Sequence, residues 1–326
     1  MFMNEKTNSN SFWKRLPTPF FCLAPMEDVT DPAFRRLFAK YGKPDVMWTE
    51  FTSADALISK GYDRVVRDLA YTQSQRPIVA QLFSAYPDRM QQAAAIVQKL
   101  GFDGLDINMG CPDKAIEKQG SGASLIKDTE RAKDIIRAAQ SGAPNLPVSV
   151  KTRIGYKKNE LDTWLPALLE TKPAAITMHL RTRAEMSNVP ARWERAQSMI
   201  EIRSNLKSET LLIGNGDVLT LADAKQKAAE TGLDGIMVGR GIFGNPWFFN
   251  SKKQTVSIKE KLHVLAEHAQ LYEELLPERS FSIMKKHIKA YVSGWSGAKE
   301  LRVRLMECED ADEIEKAVSK YLEKQH

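Results

Sequence analysis

The sequence predicts an α/β chain: a (β/α)8 TIM barrel followed by a small C-terminal helical domain. Three observations predict it. Eight short apolar runs rich in β-branched residues alternate with segments of helical period up to about Pro246. Nearly every run ends in a residue that a buried strand would not choose. Beyond Pro246 the strand-like runs stop and only helical periods remain. The chain accordingly divides into a flexible N-terminal tail (1–17), a barrel domain (18–250) and a helical domain (251–326).

In order, the runs are Phe20–Pro25, Val46–Glu50, Pro77–Phe83, Gly104–Asn108, Val148–Arg153, Ala175–His179, Leu211–Asn215 and Ile236–Gly239. Between them lie the helix candidates Asp31–Tyr41, Pro87–Leu100, Glu130–Gln140, Leu161–Thr171, Ala191–Leu206 and Leu221–Glu230. Pro87 and Thr129 sit near helix starts, and Gly42, Gly101, Gly142 and Gly232 just past helix ends, where capping physics favours them. Continuously apolar strands alternating with helices mean a parallel sheet covered on its outside. An open doubly wound sheet competes. The strand count and the strand ends decide against it: Met26, Glu50, Gln81, Asn108 with Cys111, Lys151 with Arg153, His179 with Arg181, Asn215 with Asp217, and Gly239 with Arg240. The C-terminal ends of barrel strands converge on one mouth, where barrel active sites are built. After the barrel, Ser257–Leu275, Phe281–Ser293, Lys299–Met306 and Ala311–Glu323 read as helices, broken at Pro277, Gly294 and Gly297.

Composition is that of an ordinary globular protein, 43% hydrophobic and 27% charged over 326 residues. No apolar run has the length of a membrane helix, and Met1–Pro17 lacks the apolar core of a signal peptide. Cys22, Cys111 and Cys308, an odd and widely spaced set, form no readable disulfide framework or zinc knuckle. A monomer in a reducing cytoplasm, with no metal and no membrane contact, is expected. Net charge is +6 but unevenly spread. Arg279, Lys285, Lys286, Lys289, Lys299, Arg302 and Arg304 crowd one stretch with Glu300 alone against them, and only acids follow from Glu307 to Glu315. That basic stretch is a candidate phosphate-backbone footprint, with Lys285, Lys286 and Arg302 as candidate contacts. A merely solvated helix face is the competing reading.

At the mouth, Leu211-Leu-Ile-Gly-Asn-Gly-Asp217 and Gly239-Arg-Gly-Ile-Phe-Gly244 end strands seven and eight, the place where barrels commonly bind phosphate. The second is a literal G-x-G-x-x-G, but it closes a barrel rather than opening a βαβ unit, so a dinucleotide fold is rejected. The ammonium of Lys151 needs an anion or a partner; an electron-rich cofactor ring would serve, and so would Schiff-base chemistry. Gln81 suits the edge of a heteroaromatic ring. His179 is either a satisfied core histidine or, beside Arg181, a site residue. Together Gln81, Lys151, His179 and the phosphate loops describe a phosphorylated, planar, electron-accepting ligand, and FMN fits all four. Cys22 and Cys308 read as buried apolar residues. Cys111, in the turn Asn108-Met-Gly-Cys-Pro112, faces the mouth. With a reference pKa near ~8.5, its thiol stays protonated at neutral pH and can donate a proton. Activation by His179 as a nucleophile is the alternative. The loop from Lys114 to Gly122 reads as a movable cover.

These residues together resemble the tRNA-dihydrouridine synthase family. The resemblance is carried by Ala24-Pro-Met26, Val29-Thr-Asp31 and Phe34-Arg35, then Gln81-Leu-Phe83, Asn108-x-Gly-Cys-Pro112 and Lys118-x-Gly-Ser-Gly122. It continues in Val150-Lys-Thr-Arg153, His179-x-Arg-Thr182, Gly214-Asn-Gly-Asp217 and Gly239-Arg-Gly241, and in Lys286-His287, Gly297-Ala-Lys-Glu-Leu301 and Arg304 of the tail. It implies an FMN enzyme that uses NADPH to saturate the C5–C6 bond of particular uridines in tRNA. By position, Pro25, Met26 and Glu27 would line the flavin through backbone, and Gln81, Lys151 and His179 would contact its ring or ribityl chain. Asn215, Gly216, Asp217, Gly239 and Arg240 would hold the phosphate region. Cys111 would donate the proton, with Asn108 and Arg181 near the uracil. The segment Glu185–Trp193 departs from the family pattern in lacking a glycine. Two rivals stand beside this reading: an FMN oxidoreductase of free pyrimidines, and a flavin-free barrel that binds RNA or acts as a Lys151 Schiff-base lyase.

Overall fold

The computed structural model describes residues 11–253 and 255–324. Eight parallel strands form one sheet: β1 (Phe20–Leu23), β2 (Met47–Ser53), β3 (Ile78–Phe83), β4 (Gly104–Met109), β5 (Val148–Arg153), β6 (Ala175–His179), β7 (Leu211–Asn215) and β8 (Gly235–Val238). Its order runs from β1 through β8 and back down to β2. The seam between β1 and β2 closes through a parallel bridge at Cys22 and Val46, with Leu23 N donating to Val46 O (3.1 Å) and Asp45 N to Phe21 O (2.9 Å). The predicted TIM barrel is therefore the fold, and the eight predicted runs are its strands.

Six longer helices cover it: α1 (Pro32–Tyr41), α2 (Pro87–Lys99), α3 (Thr129–Gly142), α4 (Leu161–Glu170), α5 (Arg195–Asn205) and α6 (Leu221–Thr231). Their starts follow capping chemistry. Asp31 accepts Phe34 N at 2.9 Å ahead of Pro32 at the head of α1, and Gly232, at φ 69°, ends α6 in the left-handed region. The single helical turns at Ala54–Leu57, Tyr62–Val65 and Lys114–Lys118 were not expected, being too short to carry a period.

The tail expected to be loose over 1–17 is corrected where the structure describes it; Met1–Asn10 lie outside the described residues. Phe12–Arg15 form a tight turn in which Phe12 and Trp13 are each 5% exposed. Trp13 packs on Phe20 and Trp48 with ring centroids 5.7 and 6.0 Å apart, closing the end of the barrel opposite the mouth. Two large aromatic rings remove enough apolar area from water to outweigh the entropy of ordering a short segment.

The C-terminal region holds α7 (Ile258–Leu275), α8 (Met284–Tyr291), α9 (Ala298–Glu307) and α10 (Ala311–Glu323). The helix expected over Phe281–Ser293 opens as a 3-10 turn at Phe281–Ile283 before α8 begins. These helices share an apolar core of Leu265, Tyr272, Ile288, Leu301, Leu305 and Ile314, joined by Ala33 and Leu37 of α1 and by Trp247. The helical region thus packs on the barrel through α1. His268 and His287 are buried in this seam, and burial pushes both below the usual histidine range, leaving neutral rings.

Candidate active site

One side of the mouth is a continuous line of hydrogen bonds. Lys151, from β5, donates through Nζ to Asn215 Oδ1 at 3.3 Å, and His179 Nδ1 lies 2.8 Å from the same oxygen. Asn215 Nδ2 donates to Met237 O at 2.8 Å, which orients the amide. Arg181 Nη1 is 3.2 Å from His179 Nε2; a guanidinium only donates, so Nε2 accepts and the ring proton sits on Nδ1. Arg181 also donates through Nε to Val189 O (2.6 Å) and pairs with Asp217, which accepts Arg240 Nη2 at 3.1 Å. Gly216 makes the loop possible: its φ is 133°, and a Cβ there would lie 2.7 Å from the Ala191 methyl.

Electrostatics follow from this crowding. Burial, then the Arg153 charge, lowers Lys151 to about 8. Burial, then Lys151 and Arg153, holds His179 well below the ordinary histidine range. Burial works to raise Asp217, but the hydrogen bonds from Arg181 and Ala191 N and the charges of Arg181 and Arg240 keep it low. His179 is neutral with both nitrogens engaged, so it has no free nitrogen to deprotonate Cys111.

Gln81 stands inside the barrel on β3, 1% exposed, donating through Nε2 to Asp106 Oδ2 at 2.6 Å. That contact leaves Gln81 Oε1 buried without a partner, an acceptor in want of an N–H donor. Asp106 is itself held by Ser149 Oγ at 2.5 Å, and burial raises it to about 6. Sequence reasoning missed Asp106; a lone acid inside the apolar run Gly104–Asn108 was the available signal.

Asn108 turns the chain toward Cys111: its Oδ1 accepts Gly110 N at 3.1 Å and Cys111 N at 2.9 Å. With its side chain engaged in that turn, Asn108 shapes the loop. Arg153 braces the same loop, Nε donating to Gly110 O at 2.7 Å and Nη1 to Thr182 O and Met186 O. Burial pushes the Cys111 thiol up, with the Asp113 and Glu27 charges adding and the Asp113 backbone and Arg153 opposing. The expected cover is anchored on this loop. Ala123 N donates to Cys111 O at 2.9 Å, and Arg183 pairs with Glu117 and donates to Pro112 O at 3.3 Å. Gly122, at φ 62°, allows the close approach, since a Cβ would meet Cys111 O at 2.7 Å.

Arg181, expected beside the substrate, is 2% exposed, with its donors on Val189, His179 and Asp217. It lies under the mouth. The atypical segment 185–193 is likewise fastened, through Glu185 to Arg192 and Thr182 N, and through Trp193 Nε1 to Gly216 O at 2.9 Å.

The opposite side of the mouth is acidic. Glu50, expected to end its strand, lies inside β2, which runs on to Ser53; it is 2% exposed and accepts Asp28 N at 2.5 Å and Arg279 Nη1 at 3.2 Å. Arg279 comes from the helical region and also reaches Asp68 (2.8 Å) and Asp28 (3.7 Å). It therefore leaves the candidate RNA-facing set and joins the two regions. Lys286 lies 3.7 Å from Asp28, and Arg302 donates to Val292 O at 3.0 Å, whereas Lys285, Lys289, Lys299 and Arg304 are exposed. A cavity of about 330 Å³ opens beside Glu27, Phe51, Asp68, Phe83, Asp113 and Ile116. Cys22 and Cys308 are buried, as expected.

Comparison with known proteins agrees with this architecture. The family model described as dihydrouridine synthase matches residues 22–326. A probable tRNA-dihydrouridine synthase 2 of Bacillus subtilis (strain 168) is 41% identical over 310 residues, 94% of this chain and 95% of that protein. A probable tRNA-dihydrouridine synthase of Staphylococcus aureus (strain MRSA252) is 39% identical over 300 residues, 91% of each. Among solved structures, an old yellow enzyme homologue from Zymomonas mobilis superposes with a TM-score of 0.53 at 14% identity, over 73% of this chain and 90% of that one. Morphinone reductase does so with a TM-score of 0.50 at 12% identity, over 72% and 86%. At such identities these two speak for the barrel fold alone. Among the described residues no helix is long and apolar enough to cross a membrane.

Proposed function

The chain belongs to the dihydrouridine synthase family, and from that premise we propose that it reduces the C5–C6 double bond of particular uridines in tRNA, using FMN at the barrel mouth and NADPH as electron source. The observation that carries the flavin is the orphaned acceptor Gln81 Oε1 on the same barrel interior as Lys151, whose one hydrogen-bond partner among the described residues is the neutral Asn215. A planar ring with an N–H edge and an electron-rich edge answers both needs. Pro25, Met26 and Glu27 are assigned to the flavin through backbone, Gln81, Lys151 and His179 to its ring and ribityl side. Asn215, Gly216, Asp217, Gly239 and Arg240 are assigned to the phosphate end. Reduced flavin, when bound, supplies hydride to C6 of the uracil.

The remaining work belongs to the chain. Cys111 Sγ–H donates a proton to C5, and the raised pKa keeps that proton in place until it is needed. Arg153, fixed by three backbone carbonyls, then faces the thiolate left behind. With His179 engaged at both nitrogens, the acid reading is favoured over the nucleophile. Arg181 acts as a positioning residue that sets the His179 tautomer and Asp217, and Asn108 positions Cys111. The cavity between Phe51, Phe83 and the loop after Cys111 offers room for a base taken out of its stack. Lys285, Lys289, Lys299 and Arg304 supply exposed charge for the tRNA backbone, with Lys286 and Arg302 at its edge. The test compares turnover on unmodified tRNA and on free uracil by the FMN-loaded protein. Dihydrouridine formed in tRNA alone supports the proposal. Equal or better turnover of free uracil, or a protein that takes up no FMN, overturns it.

A further inference from the structure

Behind the acidic side of the mouth, three side chains from three segments meet, none of which has a part in the chemistry proposed above. Asp31 heads α1, His268 lies in α7 and His287 in α8; each is 0% exposed, and one ligand atom of each lies within 4.8 Å of the others. The two imidazoles cross edge to face with centroids 4.6 Å apart. Asp31 commits Oδ1 to capping α1, while its Oδ2 and all four ring nitrogens have no hydrogen-bond partner in good geometry. Phe34, Phe243 and Tyr291 wall them in. Bare polar atoms buried among aromatic rings are rare in folded proteins and call for a partner.

We propose that Asp31, His268 and His287 bind one divalent cation of the zinc class, which staples the helical region to the barrel. Two neutral imidazoles and one carboxylate are the mixed nitrogen–oxygen set that such ions take. The Asp28 backbone lies beside the His287 ring, the kind of outer contact that orients a ligating imidazole. The charges around the trio are mixed: Asp28, Glu50 and Asp68 stand beside Asp31, with Arg35, Arg279 and Lys286 facing them, so the carboxylates outnumber the cations by one. This departs from the sequence-based expectation of no metal. Ligands at 31, 268 and 287 leave no local spacing motif to read.

The test uses the full chain, prepared without an affinity tag that binds metal. Elemental analysis should find about one zinc-class ion per chain, and removing it with a chelator should lower Tm reversibly. Co2+ added to the stripped protein should give visible ligand-field absorption. His268→Gln and His287→Gln should lose both the ion and the chelator sensitivity while still binding FMN. If a variant does not fold, the wild-type arms decide alone. A wild-type protein that takes up neither Zn2+ nor Co2+ to about one equivalent, or whose uptake is unchanged in His268→Gln, overturns the proposal and leaves a metal-free hydrogen-bonded trio.

Discussion

The two sides of the barrel mouth occupy equivalent places in the topology and have opposite fates. On the β5–β8 side, Lys151, Asn215, His179 and Arg181 hold one another, and among the described residues the Lys151 ammonium has no carboxylate at hydrogen-bond distance, only the Asn215 amide oxygen. On the β1–β3 side, Asp28, Glu50 and Asp68 receive their counter-charge from Arg279 of the chain itself. A polar residue at a strand end marks a ligand site only where the chain does not complete it. Glu50 obeyed the strand-end rule as well as Lys151 did, yet its partner is internal.

The largest effect should come from the residue between the sides. Cys111→Ala is expected to slow dihydrouridine formation by about 10²–10⁴-fold, the usual weight of a general acid, with FMN content and tRNA affinity unchanged. Single-turnover assays on unmodified tRNA measure it, and a loss under tenfold would remove Cys111 as the acid. Because burial raises the thiol, the alkaline limb of the rate profile should lie above the ~8.5 of a free cysteine.

Next, Lys151→Met should weaken FMN binding by about 1.5–3 kcal/mol, the weight of a hydrogen bond to a charged group, in a fluorescence titration. Apoprotein Tm should stay the same or rise, since the substitution removes an ammonium that burial already disfavours. Arg279→Ala should do the reverse. It leaves Glu50 buried without its cation, and partial exposure of the pair reduces the cost to about 1–3 kcal/mol. Urea melts should show the loss while FMN affinity holds. If Arg279→Ala abolished flavin binding, the two sides would not be separable.

Much of this was legible in the sequence because it is local. Strand and helix periods, Pro87 and Thr129 at helix heads, and Asn108 ahead of Cys111 are all short-range signals, and the β5–β8 site residues fall at predicted strand ends. What escaped is long-range. Arg279 and Glu50 are 229 positions apart, so Arg279 read as one more exposed cation. Asp106 lay hidden in an apolar strand because its partners, Gln81 and Ser149, sit on neighbouring strands. Phe12 and Trp13 were visible as an aromatic pair in a polar segment, but the apolar barrel end they pack on exists only once the barrel does.

The smallest effect concerns pH and sharpens the contrast further. Glu50 is raised from 4.5 to about 7, by burial first, with Asp31 and Asp68 adding and Arg279 opposing. The folded chain thus holds this proton more tightly than the unfolded one. Its contribution to stability is complete below about 4.5 and is lost as pH rises through about 7. Glu50→Gln should flatten stability over that window in urea melts at successive pH values. The cost of Arg279→Ala should shrink toward pH 5, where Glu50 is protonated and needs no counterion as strongly. Lys151 carries the opposite dependence: with its folded pKa lowered to about 8, it draws stability from higher pH and loses it as pH falls through that value. A Glu50→Gln protein whose profile between 4.5 and 7 matched wild type would show that Glu50 stays charged. Arg279 would then hold a full ion pair, and the acidic side would be as strongly electrostatic as the basic one.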